Sequence, residues 1–367
     1  MIRSITAFVR GAAWLQTRGA AQLAGRPFMP GGEGENFPKY LEEPRENFPV
    51  LVTGTDAGIS PTDSPKACAE AVKEKLKDQL LKYGAILYRD FPIKNHDDFA
   101  EFFNNLGPYK SMDYKGGAAV RNTVGSQNKN VYTASREPPE WTIEPHNEMA
   151  YMSYWPKLIL FYCDVPPPEG TGGESVICHV RDILEKLDPD VAAKFDKLGI
   201  RYSRHIADKS QDFYQSWQEV FRTEERGEAE KYLKETDNQW IWNEDGSINF
   251  WQTRPAFINH PITGEKLWFN HIHRKHASAW KSHPVWKKIW EEQNINDEQF
   301  PTHSAYGDGS PIPESVVQHI RDVSWEVAVG TQMKHKDVMV LENHLVQHAR
   351  LSFTGQRKLL TILAEYA

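Results

Sequence analysis

The segment EPHNEMA, Glu144 to Ala150, places an imidazole and a carboxylate two residues apart. In an extended chain, side chains at that spacing share a face. His146 and Glu148 therefore point to one place and Asn147 points away. One histidine and one carboxylate are two thirds of a facial triad, an arrangement that suits Fe(II) because it leaves coordination positions open. The far C-terminal stretch Lys336 to Leu360, KDVMVLENHLVQHARLSFTGQRKLL, supplies a third ligand in His348. Arg357 follows, across the turn signal Thr354-Gly355. If His348 closes one strand and Arg357 opens the next, both look into the same mouth. The planar guanidinium fork binds a carboxylate through two hydrogen bonds. A 2-oxo acid could then chelate the metal with its keto oxygen and C1 carboxylate and offer its far carboxylate to Arg357. The plain alternative is a structural histidine beside a surface arginine.

Residues so distant in sequence meet only if the intervening elements fold back. A helical pattern runs from about Ser64 to Tyr83 and is stopped by Gly84, at home in the left-handed position after a helix. A strand-like run follows at Ala85–Phe91, then a second helix at Asp97–Leu106. Leu158–Val165 is a nearly continuous apolar strand closed by three prolines. Helical patterns return near 180–198 and 210–234, and again near 284–293 and 313–323. Residues 240–276 alternate like strands and turns, and the end reads as strands at 337–341, 344–351 and 358–364. Strands early, helical insertions in the middle and strands late imply no βαβ wrap. They predict a mainly β fold with helical insertions at about 180–235 and 280–325. Its core is a double-stranded β-helix, or jelly roll, flanked by α-helices, in a single domain over 33–367.

The bulk numbers exclude several classes. A net charge of −7 lacks the basic excess of a nucleic-acid binder, and no apolar run is long enough to cross a membrane as a helix. Three cysteines, Cys68, Cys163 and Cys178, fit no zinc or CxxC spacing and read as thiols in a reducing compartment. Residues 1–32 carry Arg3, Arg10, Arg18 and Arg26 but no acidic residue. That composition resembles a mitochondrial transit peptide, and it equally fits a solvated tail. The expected setting is therefore soluble and intracellular, mitochondrial or cytoplasmic.

Taken together, the motifs resemble the taurine dioxygenase and clavaminate synthase-like superfamily of Fe(II)/2-oxoglutarate oxygenases, nearest its clavaminate synthase-like branch. They occur in order: GGAAVR at Gly116–Arg121, PHNEMA at Pro145–Ala150, KLILFYC at Lys157–Cys163 and GGES at Gly172–Ser175, then KLWFN at Lys266–Asn270, YGDGSPIP at Tyr306–Pro313 and the HARLSFTGQR end. The resemblance implies iron held by His146, Glu148 and His348, with Fe(II), 2-oxoglutarate and O2 as the working set. It implies Arg357 on the far carboxylate of 2-oxoglutarate, joined by Ser175, where relatives often carry threonine. The substrate is then a small molecule, carboxylate-bearing, with Arg121 as its anion partner and Asn270 and Arg350 lining the same pocket. Arg350 also admits a purely structural role. Halogenating members replace the carboxylate ligand with a small residue. Glu148 keeps it, so hydroxylation, desaturation or ring closure remain.

Two other classes stay open at this point: a jelly-roll protein that binds metal or ligand without turnover, and a zinc hydrolase using the same ligands, which needs a general base beside the metal-bound water. The tract HIHRKH at His271–His276 reads as strand, with His271 and His273 on one face beside the pocket. Asn343 and His344 read as a turn into the ligand strand, with Glu342 behind a ligand histidine.

Overall fold

The computed structural model describes residues 20–113, 123–124, 130–135, 137–211 and 215–367. Two antiparallel sheets face one another. The larger runs in the order Val50–Thr53, Ala85–Arg89, Val338–Glu342, Leu158–Val165, Lys358–Tyr366 and Tyr109–Ser111, with Tyr132–Thr133 also paired to Lys358–Tyr366. Only the outermost pair, Val50–Thr53 with Ala85–Arg89, is parallel. The smaller sheet runs Val329–Thr331, Ser175–His179, Val346–Arg350 and Ile143–His146. This is the jelly-roll core that the late strands predict.

The strand Leu158–Val165 shows why its sequence is apolar as far as Cys163, with Asp164 at its half-buried end. Ile159, Phe161 and Cys163 face the space between the sheets. Leu158, Leu160 and Tyr162 face outward, against a cluster containing Leu76 and Leu80 of the helix Pro65–Tyr83 and Phe99 of the helix His96–Asn104. A strand covered on both faces has no position for a polar residue. The first helix starts at Ser64, whose hydroxyl accepts from the Ala67 N–H, and ends at Gly84 with φ 77°. A β-carbon at Gly84 would lie 2.5 Å from Val346 Cγ2. Glycine is thus required by the turn and by the close approach of the strand Val346–Arg350.

The sequence reading needs correction in the insertions and at the N-terminal end. The middle of the chain is not helical alone. Ile200–Ile206 and His303–Tyr306 join Ile248–Arg254 and Gln239–Trp242 in a separate four-stranded antiparallel sheet. In IRYSRHI, Ile200, Tyr202 and Ile206 are buried and the residues between are half-exposed, so its period is two although half its letters are polar. Residues 20–32 are no ragged tail. Leu23 and Met29 are buried, and Arg26 donates to the Ser352 carbonyl at 2.8 Å. Residues 1–19 lie outside the described residues. The three cysteines are unpaired and buried. Among the described residues no helix is long and apolar enough to cross a membrane.

Candidate metal centre

His146 ends the strand Ile143–His146, and His348 sits in Val346–Arg350; the two are directly opposed in the antiparallel pair. Their rings lie 4.3 Å apart. Glu148 follows in a tight turn whose next residue, Met149, is held at φ 58°. Glu148 Oε2 lies 3.5 Å from His348 Nε2 and 4.0 Å from His146 Nε2.

The turn is clamped from the turn that joins the strands Val338–Glu342 and Val346–Arg350. Asn343 accepts from the Glu148 N–H at 2.7 Å and donates to the Glu148 carbonyl at 3.0 Å and the Pro156 carbonyl at 2.8 Å. In return Asn147 Nδ2 donates to the Asn343 carbonyl at 2.7 Å. Both asparagines are fully buried. The sequence reading turns Asn147 away from the metal, and there it does its positioning. It treats Asn343 as a turn former, and the signal it offered was an amide in the turn between a core strand and a ligand strand.

Among the described residues, three clusters of two histidines and an acid bring their ligand atoms within 4.8 Å of one another. Hydrogen bonding separates them. His146 Nδ1 meets the Glu144 carbonyl at 2.8 Å; a carbonyl only accepts, so Nδ1 carries the proton and the Nε2 lone pair faces Glu148. His348 Nδ1 has no partner among the described residues, so nothing draws the lone pair away from Nε2. Burial, and then the neighbouring His348, push His146 well below the usual histidine range, which keeps it neutral. In the second cluster, His344 Nε2 accepts from the Trp155 indole N–H at 3.0 Å, and His260 Nδ1 accepts from the Ile262 and Thr263 N–H groups at 3.2 Å. Both rings must then turn N–H, not a lone pair, toward Glu342. Glu342 accepts from His344 Nδ1 at 2.6 Å and so does not orient a ligand histidine. In the third, His276 and His303 accept backbone N–H through Nδ1, and Lys281 lies 3.0 Å from Asp297. Only the first cluster offers convergent lone pairs.

The first cluster opens into a cleft between the sheets with about 1090 Å³ of empty space, its mouth included. Phe161, Met339, Leu341 and Leu359 give it an apolar floor. Arg357 lines the far side, donating to the Gly173 carbonyl at 2.9 Å and the Ser175 hydroxyl at 3.1 Å. It has no carboxylate partner among the described residues, and burial lowers its pKa to about 10. Arg350 also borders the cleft, but its guanidinium is occupied by the carbonyls of Glu137, Pro138 and Trp141 at 2.7–3.1 Å. It tethers that loop. Asn270 does not reach the cleft: it is fully buried behind Asn147, with its amide on the Ala256 carbonyl and its oxygen on the Ile272 N–H. Arg121 lies outside the described residues. The HIHRKH tract is corrected from strand to a helical turn, Ile272–Lys275, which separates His271, on the cleft wall, from His273, sealed in the core.

The family profile described as taurine catabolism dioxygenase TauD, TfdA family matches residues 46–363 of this chain. The chain belongs to that family. It is a 2-oxoglutarate-dependent dioxygenase, working with Fe(II), 2-oxoglutarate and O2. Membership sets aside the non-catalytic and zinc-hydrolase readings. The dioxygenase is similar to the dapdiamide synthesis protein DdaC of Enterobacter agglomerans, with 29% identity over 86% of this chain and 90% of that protein. It is also similar to a clavaminate synthase-like protein of Arabidopsis thaliana, with 26% identity over 90% of this chain and 97% of that one. Solved structures that resemble it include AAD-2 in complex with Mn(II) and N-oxalylglycine, at 13% identity and a TM-score of 0.48, covering 89% of this chain and 98% of that one.

Proposed function

We propose that this dioxygenase holds Fe(II) through Nε2 of His146 and His348 and the carboxylate of Glu148. Arg357 and Ser175 take the far carboxylate of 2-oxoglutarate, and the substrate is a small carboxylate-bearing molecule that becomes hydroxylated, with Arg121 as a partner for its charge. The observation carrying the reading is the set of lone pairs. Two imidazole lone pairs and a carboxylate turned toward one another repel unless a cation sits between them, and a buried Arg357 without a carboxylate partner among the described residues calls for an anion. When bound, the metal supplies the oxidising chemistry, with 2-oxoglutarate leaving as succinate and CO2 and oxygen reaching the substrate. The protein's part is position and dryness. The Asn343 clamp fixes Glu148, the Glu144 carbonyl fixes the His146 tautomer, and the apolar floor keeps water from the reacting carbon.

The test is spectroscopic first. Under argon, Fe(II) and 2-oxoglutarate should give the wild-type protein the charge-transfer absorption of a 2-oxo acid chelated to ferrous iron, and His146→Ala should lack it. After air is admitted, succinate formation in that variant should fall to background. Undiminished succinate would refute the ligand assignment.

A further inference from the structure

The cleft wall beside the metal centre carries a charge that its surroundings do not balance. Five basic and two acidic side chains line the cleft. Glu148 belongs to the metal, Arg357 to the cosubstrate, and Arg350 to three loop carbonyls. Arg274 faces Glu137 at 3.6 Å, and Arg204 lies over the Phe250 ring at 5.5 Å. Lys275 is left. It closes the helical turn Ile272–Lys275, is only 7% exposed, and has no hydrogen-bond or ion-pair partner for its ammonium among the described residues. Its Nζ lies 4.4 Å from the centre of the Tyr151 ring. The Tyr151 ring is 5.0 Å from that of His271, which is 4.6 Å from that of His146. Two rings, those of Tyr151 and His271, thus link the ammonium to the ring of His146 along the cleft wall. A buried cation without a counter-charge costs several kcal/mol unless something else supplies the anion, and burial holds this lysine well below the usual lysine range.

We infer that Lys275 is the anchor for the primary substrate's oxyanion, a carboxylate or sulfonate, and that it thereby sets which carbon of the substrate faces the metal. The inference rests on the cleft being the dioxygenase site, and it adds a specificity-determining residue to it. A small anion held at Lys275 lies over Tyr151, with the rest of the molecule pointing along the wall toward His146.

The first test needs no substrate. Lys275→Met removes a charge that is unbalanced in the ligand-free fold, so its melting temperature should rise by roughly 2 °C or more. A fall would mean that the ammonium is satisfied internally and would overturn the inference. The second uses a panel of short-chain carboxylates and sulfonates with their matching primary amides, reading stimulated succinate formation at fixed 2-oxoglutarate. The wild-type protein should prefer the oxyanion over its amide by about tenfold or more. Lys275→Arg should keep the preference and Lys275→Met should lose it. A panel in which no oxyanion is preferred, or in which Lys275→Met retains the preference, overturns the inference. Anaerobic titration should give both proteins the same dissociation constant for 2-oxoglutarate. A weaker constant in Lys275→Met would move the residue to the cosubstrate. A wild-type protein that forms no ferrous chromophore would strike the ligand assignment and leave the melting-temperature result standing.

Discussion

Two places in this molecule hold two histidines and a glutamate with their ligand atoms within 4.8 Å of one another. In one, His348, in the middle of the strand Val346–Arg350, faces His146 and Glu148. Glu342, which ends the preceding strand Val338–Glu342, and His344, in the turn between the two strands, form the other, with His260 3.6 Å from Glu342. The second cluster is buried throughout and the first borders the cleft, but by composition neither is the better metal site. They differ in what stands behind the rings. Around His344 and His260 the outer nitrogens meet donors, an indole N–H and two backbone N–H groups, so the inner nitrogens carry protons and the carboxylate is already satisfied. Behind His146 stands an acceptor, so its inner nitrogen carries the lone pair. The tautomer is set one bond away from the cluster, and that decides whether three side chains form a closed hydrogen-bonded knot or an open ligand set.

The comparison breaks most visibly by removing one ring from each cluster. His348→Ala should lose both its stoichiometric iron and succinate formation, down to background. His344→Ala should keep its iron at saturating Fe(II) but lose about 1–3 kcal/mol of stability, because the Trp155 indole N–H loses its acceptor and Glu342 loses its shortest donor, keeping the Leu345 N–H. Iron analysis and urea unfolding read the two effects separately. Iron lost from His344→Ala at saturating Fe(II), with the fold intact by circular dichroism, would mean that the closed cluster is a ligand set after all.

Much of this contrast lay beyond reading from the sequence. The first helix, the apolar strand and the three last strands were legible, because burial on one or both faces writes a period into the chain. The pairing of His146 with His348 was legible as a chemical requirement rather than as geometry. The inserted sheet was not, because Arg204 falls on the face of Ile200, Tyr202 and Ile206 and interrupts the alternation of its first strand. Asn270 looked like a pocket residue because it ends a motif, yet it packs behind the ligand turn. Lys275 carried no signal, since its meaning comes from the helical turn that aims it at the cleft. The tautomers were out of reach for the same reason: Trp155 and Glu144 matter through what they touch, and spacing does not encode that.

The clamp between the ligand turns gives the next largest effect. Asn343 and Glu148 exchange two hydrogen bonds, and Asn343 serves Pro156 as well. Asn343→Ala leaves the Glu148 N–H and two carbonyls without those partners in the core. Iron affinity should weaken by about 10- to 100-fold, as expected for residues that orient a ligand, with an accompanying stability loss of about 1–3 kcal/mol. Asn343→Asp restores the acceptor but not the donor, so it should recover part of the affinity. Equal affinities in the two variants, as measured by competition with a chelator, would show that the Glu148 N–H contact contributes nothing.

The smallest effect is a slope. Burial lowers His276, in the third cluster, to about 2 and His273 to about 3. In the unfolded chain both take a proton near pH 6.5. Below that pH the unfolded state therefore binds more protons than the folded one, so stability rises with pH and is lost progressively as pH falls from about 6.5. Each such ring adds a slope of up to about 1.4 kcal/mol per pH unit. Glu342 behaves oppositely. Burial would raise its carboxyl, but the His344 and His260 contacts outweigh this and hold it below the usual range, so it stays ionised and adds no slope between pH 5 and 6.5. Urea midpoints over that window should then fall less steeply in His276→Gln, where His273 still contributes, and keep their slope in Glu342→Gln, even though the second variant is the less stable. The reverse pattern would mean that the closed clusters store charge rather than exclude it, and the distinction drawn from tautomers would fail.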